Sequence, residues 1–442
     1  MKKRILVAGA GHGGLAAAAL IAQKGFDVTV FEKKKEAELG YDWTDIFAPG
    51  ALGIAGIPMP EKDKFTYKDN MTFYSPSCSK GLVQNVPVDQ LEIKMERSDI
   101  YSLLVEHARK SGVSFKFECE VSSPLVLGNR VVGLKTSEGD FYADLVIDAA
   151  GIDSPVRKNL PSSLNIEKDE GEFSRFYVYR AFYNKASEEP AKDVYKVYML
   201  PQGKLGIGWV ASEEDFTDVL IGRFSPLSDE DKNESLLSMQ KENPRLGTEV
   251  VRGGQNVSIP VRQPLSVLVA DGYAAIGDSA FMTVPIIGSG IANSFKAARI
   301  LADVVTEDRD GSFSAATLWK YQREFFKKLG SGLAGLACVK LLLTKLKPEE
   351  LDYMFETGVL TADDLTIGAD STSLIKMLSG ITVSDIANKV KNVVKDKVLL
   401  KKILSTGERM AKVTTVVSAM PRTYTAGAVE AWSKKYRDCF KV

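Results

Sequence analysis

The first 32 residues carry the pattern of a strand, a glycine-rich turn, a helix and a second strand. An apolar run at 5–8 precedes the sequence GAGHGG, and a small-residue stretch follows at 15–24. Gly25 ends that stretch, and the residues at 27–31 predict another strand. Because a strand, a helix and a strand in this order form a parallel pair with the helix on one face, the pattern predicts an α/β domain.

The turn of this unit has the glycine spacing of a dinucleotide-binding loop. Gly9 permits the tight turn, Gly11 lets the backbone approach a pyrophosphate, and Gly14 lets the helix pack against the strand. The N–H groups at the helix N-terminus then face the phosphates. Glu32 ends the second strand, where a carboxylate can bind the two hydroxyls of a ribose. That acid argues against a 2′-phosphate on the ligand but does not distinguish NAD from FAD. The alternative interpretation of the glycine-rich stretch is an ordinary tight turn that binds no nucleotide.

The composition is that of an ordinary globular enzyme. Of the 442 residues, 57 are Lys or Arg and 57 are Asp or Glu, so nothing in the net charge favours nucleic acid as a partner. The four cysteines show no paired spacing and there are only two histidines, so we expect no metal site and a reducing, cytoplasmic location. The basic N-terminus and the apolar run after it imitate a signal peptide, but five glycines interrupt that run.

A second glycine-rich stretch, GDSAFMTVPIIGSGIANSFKAA, lies at 277–298. It follows the apolar run DGYAAI, which predicts a strand, and its end predicts a helix. Gly277 and Asp278 therefore stand at a strand end, and Gly288 and Gly290 stand before a helix. This is again the form of a phosphate or cofactor loop, which raises the question of why one chain carries two.

Two stretches between these loops narrow the choice of ligand. The sequence at 95–113 predicts a helix that is capped by Ser98 or Asp99, and Arg97 lies just before it. The alternative interpretation of Arg97 is a surface residue at the start of the helix. The sequence DLVIDAAGIDSPVRKNL, at 144–160, predicts a buried strand that runs into Asp153 and Arg157. An ordinary helix cap is the alternative interpretation of Asp153.

With these four stretches in this order, the chain resembles the flavoprotein superfamily of p-hydroxybenzoate hydroxylase and geranylgeranyl reductase. The resemblance covers residues 1–305 and implies FAD as the cofactor. In such proteins the FAD-binding domain is discontinuous, so the first loop would hold the pyrophosphate and adenosine of FAD. The second loop would hold the ribityl chain and the isoalloxazine ring of the same molecule. NAD(P)H or an electron-donor protein such as a ferredoxin would supply the electrons.

The resemblance also implies roles for particular residues. Asp278 would accept a hydrogen bond from a ribityl hydroxyl or coordinate the pyrophosphate through water. The N–H groups of 288–291 would face the flavin pyrimidine edge, where negative charge develops on reduction. Arg97 would pair with the phosphates, and Asp153 would help to orient Arg157 and the cofactor. The cofactor-binding residues predicted in this way are Gly9, Gly11, Gly13, Gly14, Glu32, Lys33, Arg97, Asp153, Gly277, Asp278, Pro285, Gly288, Ser289, Gly290 and Ile291.

The predicted architecture is an α/β, Rossmann-like FAD-binding domain with an inserted antiparallel β-sheet substrate domain and a C-terminal helical region. The FAD-binding domain takes 1–160 and 250–310, the substrate domain takes 161–249 with part of 60–95, and the helical region takes 311–442. Runs rich in aromatic and β-branched residues predict four successive strands of the substrate sheet, at 172–184, 193–200, 204–210 and 218–224.

The sequence gives only weak candidates for the substrate and catalytic residues. Tyr179, Tyr198 and Trp209 lie in predicted strands and could line an apolar substrate cavity, although strand aromatics are equally typical of a core. Asp42 and Asp45, in the loop YDWTDIF, are candidates for a general acid near the flavin, with exposed loop carboxylates as the alternative. The weak catalytic candidates are therefore Asp42, Asp45 and Tyr198.

From about residue 312 the pattern predicts helices with apolar and basic residues. The segment GLAGLACVKLLL, at 332–343, is too short to span a bilayer. It is either a core helix or a peripheral contact with a membrane or a lipid substrate. A second basic amphipathic helix, predicted at 389–404, has the same two interpretations.

Three functions are compatible with these patterns. The first is an FAD-dependent reductase or dehydrogenase that acts on C=C bonds of an apolar substrate, as geranylgeranyl reductases do. The second is an FAD monooxygenase reduced by NAD(P)H, and the third is a non-enzymatic prenyl-binding protein of related architecture. The Gly277–Asp278 loop argues against the third. The second loop and the basic, apolar C-terminal helices favour the reductase over the monooxygenase.

Overall fold

The computed structural model describes residues 2–189, 193–308, 310–366, 393 and 396–441. The strands are β1 (Arg4–Ala8), β2 (Asp27–Phe31), β3 (Thr44–Phe47), β4 (Thr66–Tyr67), β5 (Thr72–Tyr74), β6 (Gly81–Val83), β7 (Ile93–Glu96), β8 (Ser114–Lys116), β9 (Val121–Leu127), β10 (Arg130–Thr136), β11 (Gly139–Tyr142), β12 (Leu145–Asp148), β13 (Arg175–Lys185), β14 (Tyr195–Met199), β15 (Gly206–Ser212), β16 (Thr217–Arg223), β17 (Leu246–Pro260), β18 (Val269–Ala270) and β19 (Tyr273–Ala275). The helices are α1 (His12–Ala22), α2 (Ala51–Ile54), α3 (Arg97–Lys110), α4 (Pro155–Lys158), α5 (Asp229–Glu242), α6 (Ile291–Glu307), α7 (Ala315–Phe325), α8 (Ser331–Leu343), α9 (Pro348–Glu356), α10 (Ala362–Thr366), α11 (Lys397–Ser418) and α12 (Ala426–Asp438).

A six-stranded sheet in the order β18–β19–β12–β1–β2–β8 forms the core of the first domain. Strand β1 pairs in parallel with β2 and β12, and β8 and β19 continue the sheet in parallel on either side. From Ile5 to Ala8 strand β1 is an unbroken apolar run, as expected for a strand that is buried on both of its faces. Since β19 comes from far along the chain, the α/β domain is discontinuous, and the predicted fold class is confirmed.

Helix α1 is built from small residues and is buried from Gly13 to Ala22. It packs against both α3 and α6. Alanine and glycine side chains let these helices approach closely, so the start of α6 comes to lie beside the start of α1. This packing brings the two glycine-rich stretches of the sequence to the same edge of the parallel sheet.

A seven-stranded sheet in the order β17–β13–β16–β15–β14–β5–β6 forms the second domain. Its neighbouring strands are antiparallel, except that β14 and β5 are parallel. The four strands predicted between 172 and 224 correspond to β13 to β16, and β5 and β6 come from within 60–95.

Strand β17 was not predicted, and it places the end of the antiparallel sheet beyond the domain boundary predicted at 250. It pairs with β13 as far as Pro260, so the boundary predicted at 250 lies inside a strand of the antiparallel sheet. Gly253 and Gly254 have positive φ angles, and the pairing shifts register there. The bulge interrupts the alternation of apolar and polar residues by which a strand is recognised in a sequence.

Two small sheets complete the domains. Strands β9, β10 and β11 form an antiparallel sheet beside β12. Strands β3, β7 and β4 form the other, and β3 directly follows the loop at 39–43.

The described part of the C-terminal region is helical. Helix α7 continues through a π-helical turn, Phe326–Gly330, into α8, and α8 packs against α11. Most of α8 from Leu333 to Leu341 is buried, so the described structure supports the core-helix interpretation of the segment at 332–343. Of the helix predicted at 389–404, residues 397–404 begin α11, whereas 389–392, 394 and 395 lie outside the described residues.

Within the described residues, no individual helix has both the length and the apolar character needed to cross a membrane. One bent pair, Ala315–Leu343 with Pro348–Glu356, satisfies the criteria of length and composition when its two helices are taken together.

Candidate cofactor and substrate site

A cavity of about 560 Å³ lies where the two domains meet. Its wall on one side consists of the first glycine-rich loop, the end of β2 and the second glycine-rich loop. Its wall on the other side is one face of the antiparallel sheet, and Leu343 of α8 and Leu365 of α10 close an end. Both loops singled out from the sequence therefore border one space, as expected if they hold one ligand.

The first loop is held tightly against the turn after β12. Gly9 has a φ of +91°, and a Cβ atom there would lie 2.6 Å from the carbonyl oxygen of Ala149. A Cβ atom on Gly14 would lie 2.7 Å from both the Cβ of Ala149 and the carbonyl oxygen of Gly9. A side chain at either position would collide with its neighbours in the protein, so the two glycines let the first loop pack against the turn after β12.

The end of β2 provides the predicted carboxylate. Glu32 accepts hydrogen bonds from the backbone N–H groups of Ala10, at 3.0 Å, and Lys34, at 2.9 Å. These bonds fix the carboxylate at the rim of the cavity, next to the first loop. The side chain of Lys34 also lines the cavity, whereas Lys33, the residue named from the sequence, is exposed and lies outside the lining.

The second loop turns twice through glycines. Gly277 and Gly288 have φ angles of +67° and +72°, a region that disfavours other residues. Asp278 faces the cavity and accepts a hydrogen bond from Thr283 Oγ1 at 3.1 Å. Desolvation by the surrounding protein raises the pKa of Asp278, and the Thr283 bond and the charge of Arg97 act in the opposite direction.

Helix α6 begins at the cavity. Residues 288–291 line it, and Gly290 stands before the first turn without a side-chain cap. The N-terminal N–H groups of a helix carry partial positive charge, so this end of α6 suits an electron-rich ligand group. Ser289 and Ile291 belong to this lining, whereas Pro285 is buried beside it and does not reach the cavity.

His12 supplies an unpaired polar atom at the start of α1. Its Nε2 is buried and has no hydrogen-bond partner among the described residues. Its ring lies against Tyr101, with 4.7 Å between the ring centroids. Burial and the charge of Arg97 lower the pKa of His12 to about 4, so the ring is neutral at pH 7. An orphaned nitrogen beside a phosphate-binding loop fits a bound nucleotide, which would provide its partner.

Arg97, the first residue of α3, forms a buried ion pair with Asp45. Its Nε and Nη2 donate to the two carboxylate oxygens at 2.6 and 2.9 Å. Burial alone would raise the pKa of Asp45, but the charge and hydrogen bonds of Arg97 lower it below its usual value. Asp45 lines the cavity, as predicted, but it is an ionised partner of Arg97, which does not favour the predicted role of a general acid.

Three more interpretations from the sequence are not supported by the geometry. Asp42 lies outside the cavity lining and binds the backbone N–H of Gly253 and the side chain of Arg252. Asp153 is exposed and pairs with Arg175 and Lys158. Arg157 is instead held by backbone carbonyls, those of Ile152, Glu167 and Lys168. Asp42 and Asp153 each bind an arginine that is distant in sequence. A local sequence pattern cannot indicate such a contact.

The sheet face of the cavity is mainly apolar. Alternate residues of β14 and β15 face it, and its lining includes Tyr195, Val197, Met199, Ile207 and Trp209. Tyr198 points to the opposite face, where its hydroxyl accepts a hydrogen bond from Asn243 at 2.9 Å. Tyr179 is on that opposite face too, and its hydroxyl meets that of Tyr183. Because side chains alternate along a strand, the predictions for Tyr198 and Tyr179 were wrong and that for Trp209 agrees with the structure.

Arg180 is the charged group in this face. Its guanidinium donates to both carboxylate oxygens of Asp218, at 2.9 and 2.6 Å, and to the hydroxyl and carbonyl of Thr44. The rings of Trp43 and Trp209 lie beside it. Sequence analysis missed Arg180, His12 and Tyr101. Of these three residues, only His12 could have been noticed in the sequence, because it lies inside the glycine-rich turn.

The loop at 39–43 joins the two walls of the cavity. Tyr41 lies over the guanidinium of Arg97, with 4.8 Å between the ring centroid and the guanidinium carbon. Gly40 has a φ of +86° and lies directly against the Arg97 side chain. Asp42, anchored on β17, fixes the other end of the loop. The loop therefore connects α3 to the antiparallel sheet across the edge of the cavity.

Comparison with known proteins agrees with this architecture. Residues 7–52 match the family of NAD(P)-binding Rossmann-like domains. The chain is 23% identical to a digeranylgeranylglycerophospholipid reductase of Sulfolobus acidocaldarius, over 96% of this chain and 94% of that protein.

Two solved structures share the fold. A geranylgeranyl bacteriochlorophyll reductase-like protein of Thermoplasma acidophilum superposes with a TM-score of 0.72 and 18% identity, over 92% of this chain and 99% of that chain. PqsL of Pseudomonas aeruginosa, described as a probable FAD-dependent monooxygenase, superposes with a TM-score of 0.57 and 19% identity. The superposition covers 86% of this chain and 100% of PqsL. The two loops at one cavity, the shared fold and the similarity along the chain support an FAD-dependent oxidoreductase with a geranylgeranyl reductase-like fold.

Proposed function

We propose that this protein is an FAD-dependent reductase that saturates C=C bonds of an apolar, prenyl-lipid-like substrate. The observation that carries the proposal is the single cavity that extends from two nucleotide-type loops to an apolar sheet face. Bound FAD would supply the hydride chemistry, so the reaction does not require a nucleophile–base pair from the protein. The reductase names of the relatives support the same reaction.

The cofactor contacts follow from the positions of the loop residues. Gly11 lets the backbone approach the pyrophosphate, whereas Gly9 and Gly14 let the first loop pack against the turn after β12. The pyrophosphate would give His12 Nε2 a partner. Glu32 is placed to bind the adenosine ribose. Asp278 is placed to bind a ribityl hydroxyl. The start of α6 stabilises negative charge on the isoalloxazine edge.

The sheet face binds the substrate and excludes water. Its aliphatic and aromatic side chains would lie against the chain of the substrate, on the side of the cavity opposite the loops. Exclusion of water from such a wall protects a reduced cofactor and strengthens nearby electrostatic contacts. An apolar wall of this kind suits a hydrocarbon chain better than a small charged molecule.

The proposal is tested with purified, FAD-loaded protein under anaerobic conditions. The protein is reduced with dithionite and mixed with a geranylgeranyl glycerophospholipid. We expect reoxidation of the FAD absorbance together with a product that has gained two hydrogen atoms for each saturated bond, measured by mass spectrometry. A substrate that reacts only when oxygen is admitted, with incorporation of an oxygen atom, would indicate the monooxygenase instead.

The electron donor is tested in the same system. NAD(P)H replaces dithionite in one series, and a reduced ferredoxin replaces it in the other. A matched control is Tyr198→Phe, because Tyr198 faces away from the cavity and its loss should leave turnover unchanged. Absence of bound FAD after reconstitution would contradict the proposal at its first step.

A further inference from the structure

The apolar wall of the cavity contains three polar atoms without partners. The Nε1 atoms of Trp43 and Trp209 and the Oη atom of Tyr195 are buried and make no hydrogen bond within the described part of the chain. With Nε2 of His12, four of the eight such side-chain atoms found among the described residues belong to side chains that line this cavity. Native proteins leave few buried polar groups unpaired, so their concentration here indicates a missing partner.

The three side chains surround Arg180. The ring centroids of Trp43 and Trp209 lie 5.5 and 5.4 Å from its guanidinium carbon. The ring of Tyr195 meets that of Trp209 edge-on, with 5.8 Å between the centroids. Trp43, Arg180, Tyr195 and Trp209 therefore form one patch on the sheet face, here called the Arg180 patch.

The chemistry of the patch defines the missing partner. An indole N–H can only donate, and a tyrosine hydroxyl can donate as well, so the partner must be an acceptor. The charge of Arg180 is already compensated by Asp218, whose carboxylate it contacts twice. The patch therefore has little net charge with which to attract an anion, and a neutral oxygen suits it better than a carboxylate or a phosphate.

We propose, building on the proposed function, that the Arg180 patch binds a neutral oxygen acceptor of the substrate, such as a carbonyl, ester or ether oxygen. The substrate is then an apolar molecule with such an oxygen and not a plain hydrocarbon. A few placed polar groups in an apolar pocket fix the orientation of a ligand. An oxygen held at the Arg180 patch determines which bond of a uniform chain lies opposite the loops.

The donor atoms are covered in the present arrangement of the side chains. Binding therefore requires at least one ring to turn, a common change at binding surfaces. Trp209 is the partly exposed member of the Arg180 patch, whereas Trp43 and Tyr195 are each only 5% exposed. Trp209 is the ring with room to move, and its fluorescence reports the movement.

The test compares two probes, a long-chain methyl ketone and the alkane with the same number of carbons. Their dissociation constants for FAD-loaded protein are measured by calorimetry in one detergent, and tryptophan fluorescence follows the same titrations in the proteins that keep Trp209. Because the probes differ in solubility, the quantity compared among variants is the ratio of the two constants. Trp209→Phe and Tyr195→Phe keep an aromatic ring and remove a donor. Each should reduce the preference for the ketone by about three- to tenfold.

The alkane should bind all variants equally, and Tyr198→Phe should leave the ratio at its wild-type value, because its hydroxyl lies on the other face. Thermal unfolding shows whether each variant is folded. Equal weakening of both probes would mean that the rings only pack, and an unchanged ratio would mean that the donors bind ordered water. Either result would overturn the proposal. A protein that prefers the ketone but saturates no C=C bond would instead contradict only the proposed function.

Discussion

Gly13 lies directly against Ser294, so that a Cβ atom on Gly13 would be 3.1 Å from the Ser294 Cβ and 3.3 Å from Cγ1 of Ile276. The contact joins the first glycine-rich loop to α6, the helix that begins at the second loop. Gly13 stands at a position that the dinucleotide-binding pattern leaves open. Its constraint comes from the discontinuous domain, because the separation of α1 and α6 sets the separation of the two loops.

Gly13→Leu is therefore expected to weaken FAD binding. A branched side chain must push α6 away from α1, and overpacking of this kind costs about 1–3 kcal/mol. If the displacement is transmitted to both loops, the dissociation constant of FAD rises by about tenfold or more. Flavin fluorescence during titration of the apoprotein measures it.

Gly53→Ala is the matched control for that change. Gly53 lies in α2, and a Cβ atom there would meet no heavy atom within 4 Å. The alanine should leave the FAD constant unchanged and alter stability by less than about 1 kcal/mol. An unchanged FAD constant in Gly13→Leu, in a protein that still folds, would contradict the role assigned to the contact.

Asp45→Asn is expected to destabilise the protein strongly. It removes the carboxylate that receives both hydrogen bonds from the guanidinium of Arg97, and the two side chains are only 13% and 14% exposed. Breaking a buried pair on one side leaves a charge without compensation, which costs about 3 kcal/mol. Urea unfolding at pH 7 measures the loss.

Asp27→Asn provides the comparison, since Asp27 pairs with Arg4 at the surface, where the side chains are 47% and 58% exposed. That change should cost less than about 1 kcal/mol. The pKa of Asp45 is lowered on folding, so its stabilisation is present above the ordinary carboxylate pKa and is lost as the pH falls below it. Similar losses for the two variants would show that the Asp45 pair is effectively solvated.

His12→Phe is expected to flatten the pH dependence of stability in a weakly acidic window. Burial and Arg97 hold the pKa of His12 at about 4, against 6.5 in the unfolded chain. Between these values the unfolded chain binds a proton that the folded protein does not, so the wild type loses stability as the pH falls. The slope from one proton is at most about 1.4 kcal/mol per pH unit. Phenylalanine keeps the contact with Tyr101 and removes the titration.

Unfolding of both proteins in urea, at several pH values across that window, measures the difference. The difference in unfolding free energy between the variant and the wild type should be constant above pH 6.5. Below pH 6.5 the variant should become more stable relative to the wild type. His107→Phe is the comparison at the other histidine, whose pKa is lowered by burial and by the charge of Lys110. Parallel stability curves for His12→Phe and the wild type would exclude a buried, neutral His12.

The parts of the structure that could be predicted are those determined by neighbours in sequence. The unit from β1 to Glu32 is local, since its strand, turn, helix and acid follow one another within 32 residues. The second loop is local in the same sense, because its strand, its glycines and its helix follow one another within a short stretch of the sequence. Their meeting at one cavity was inferred from resemblance, and the packing of α1 on α6 gives its physical cause.

What could not be predicted depends on strand register and on distant partners. Tyr195 and Tyr198 lie three residues apart on β14 and so face opposite sides, but only the pairing with β15 determines which one reaches the cavity. Asp45 became the partner of Arg97 because β3 and β7 pair side by side. Nothing in either local sequence indicates that contact.

Lys340 offers a last test, of a buried cation outside the cavity. It is only 3% exposed, and its Nζ donates to the carbonyl oxygen of Phe173 at 2.9 Å. Burial, together with the charge of Arg262, lowers the pKa of Lys340 to about 8, against 10.5 in the unfolded chain. Between these values the unfolded chain binds a proton that the folded protein does not, so this group makes stability rise with pH from about 8 to 10.5.

Lys340→Met removes that titration and keeps most of the buried volume. The variant should therefore gain stability relative to the wild type as the pH falls from 10.5 to 8, with no further change below pH 8. Urea unfolding of both proteins at pH values on either side of the window measures the gap, and other titrating groups cancel in the difference. Lys24→Met, a change at an exposed lysine, should leave the gap constant. A gap that is also constant for Lys340→Met would mean that water reaches the ammonium group, because only a solvated lysine keeps its ordinary pKa when the chain folds.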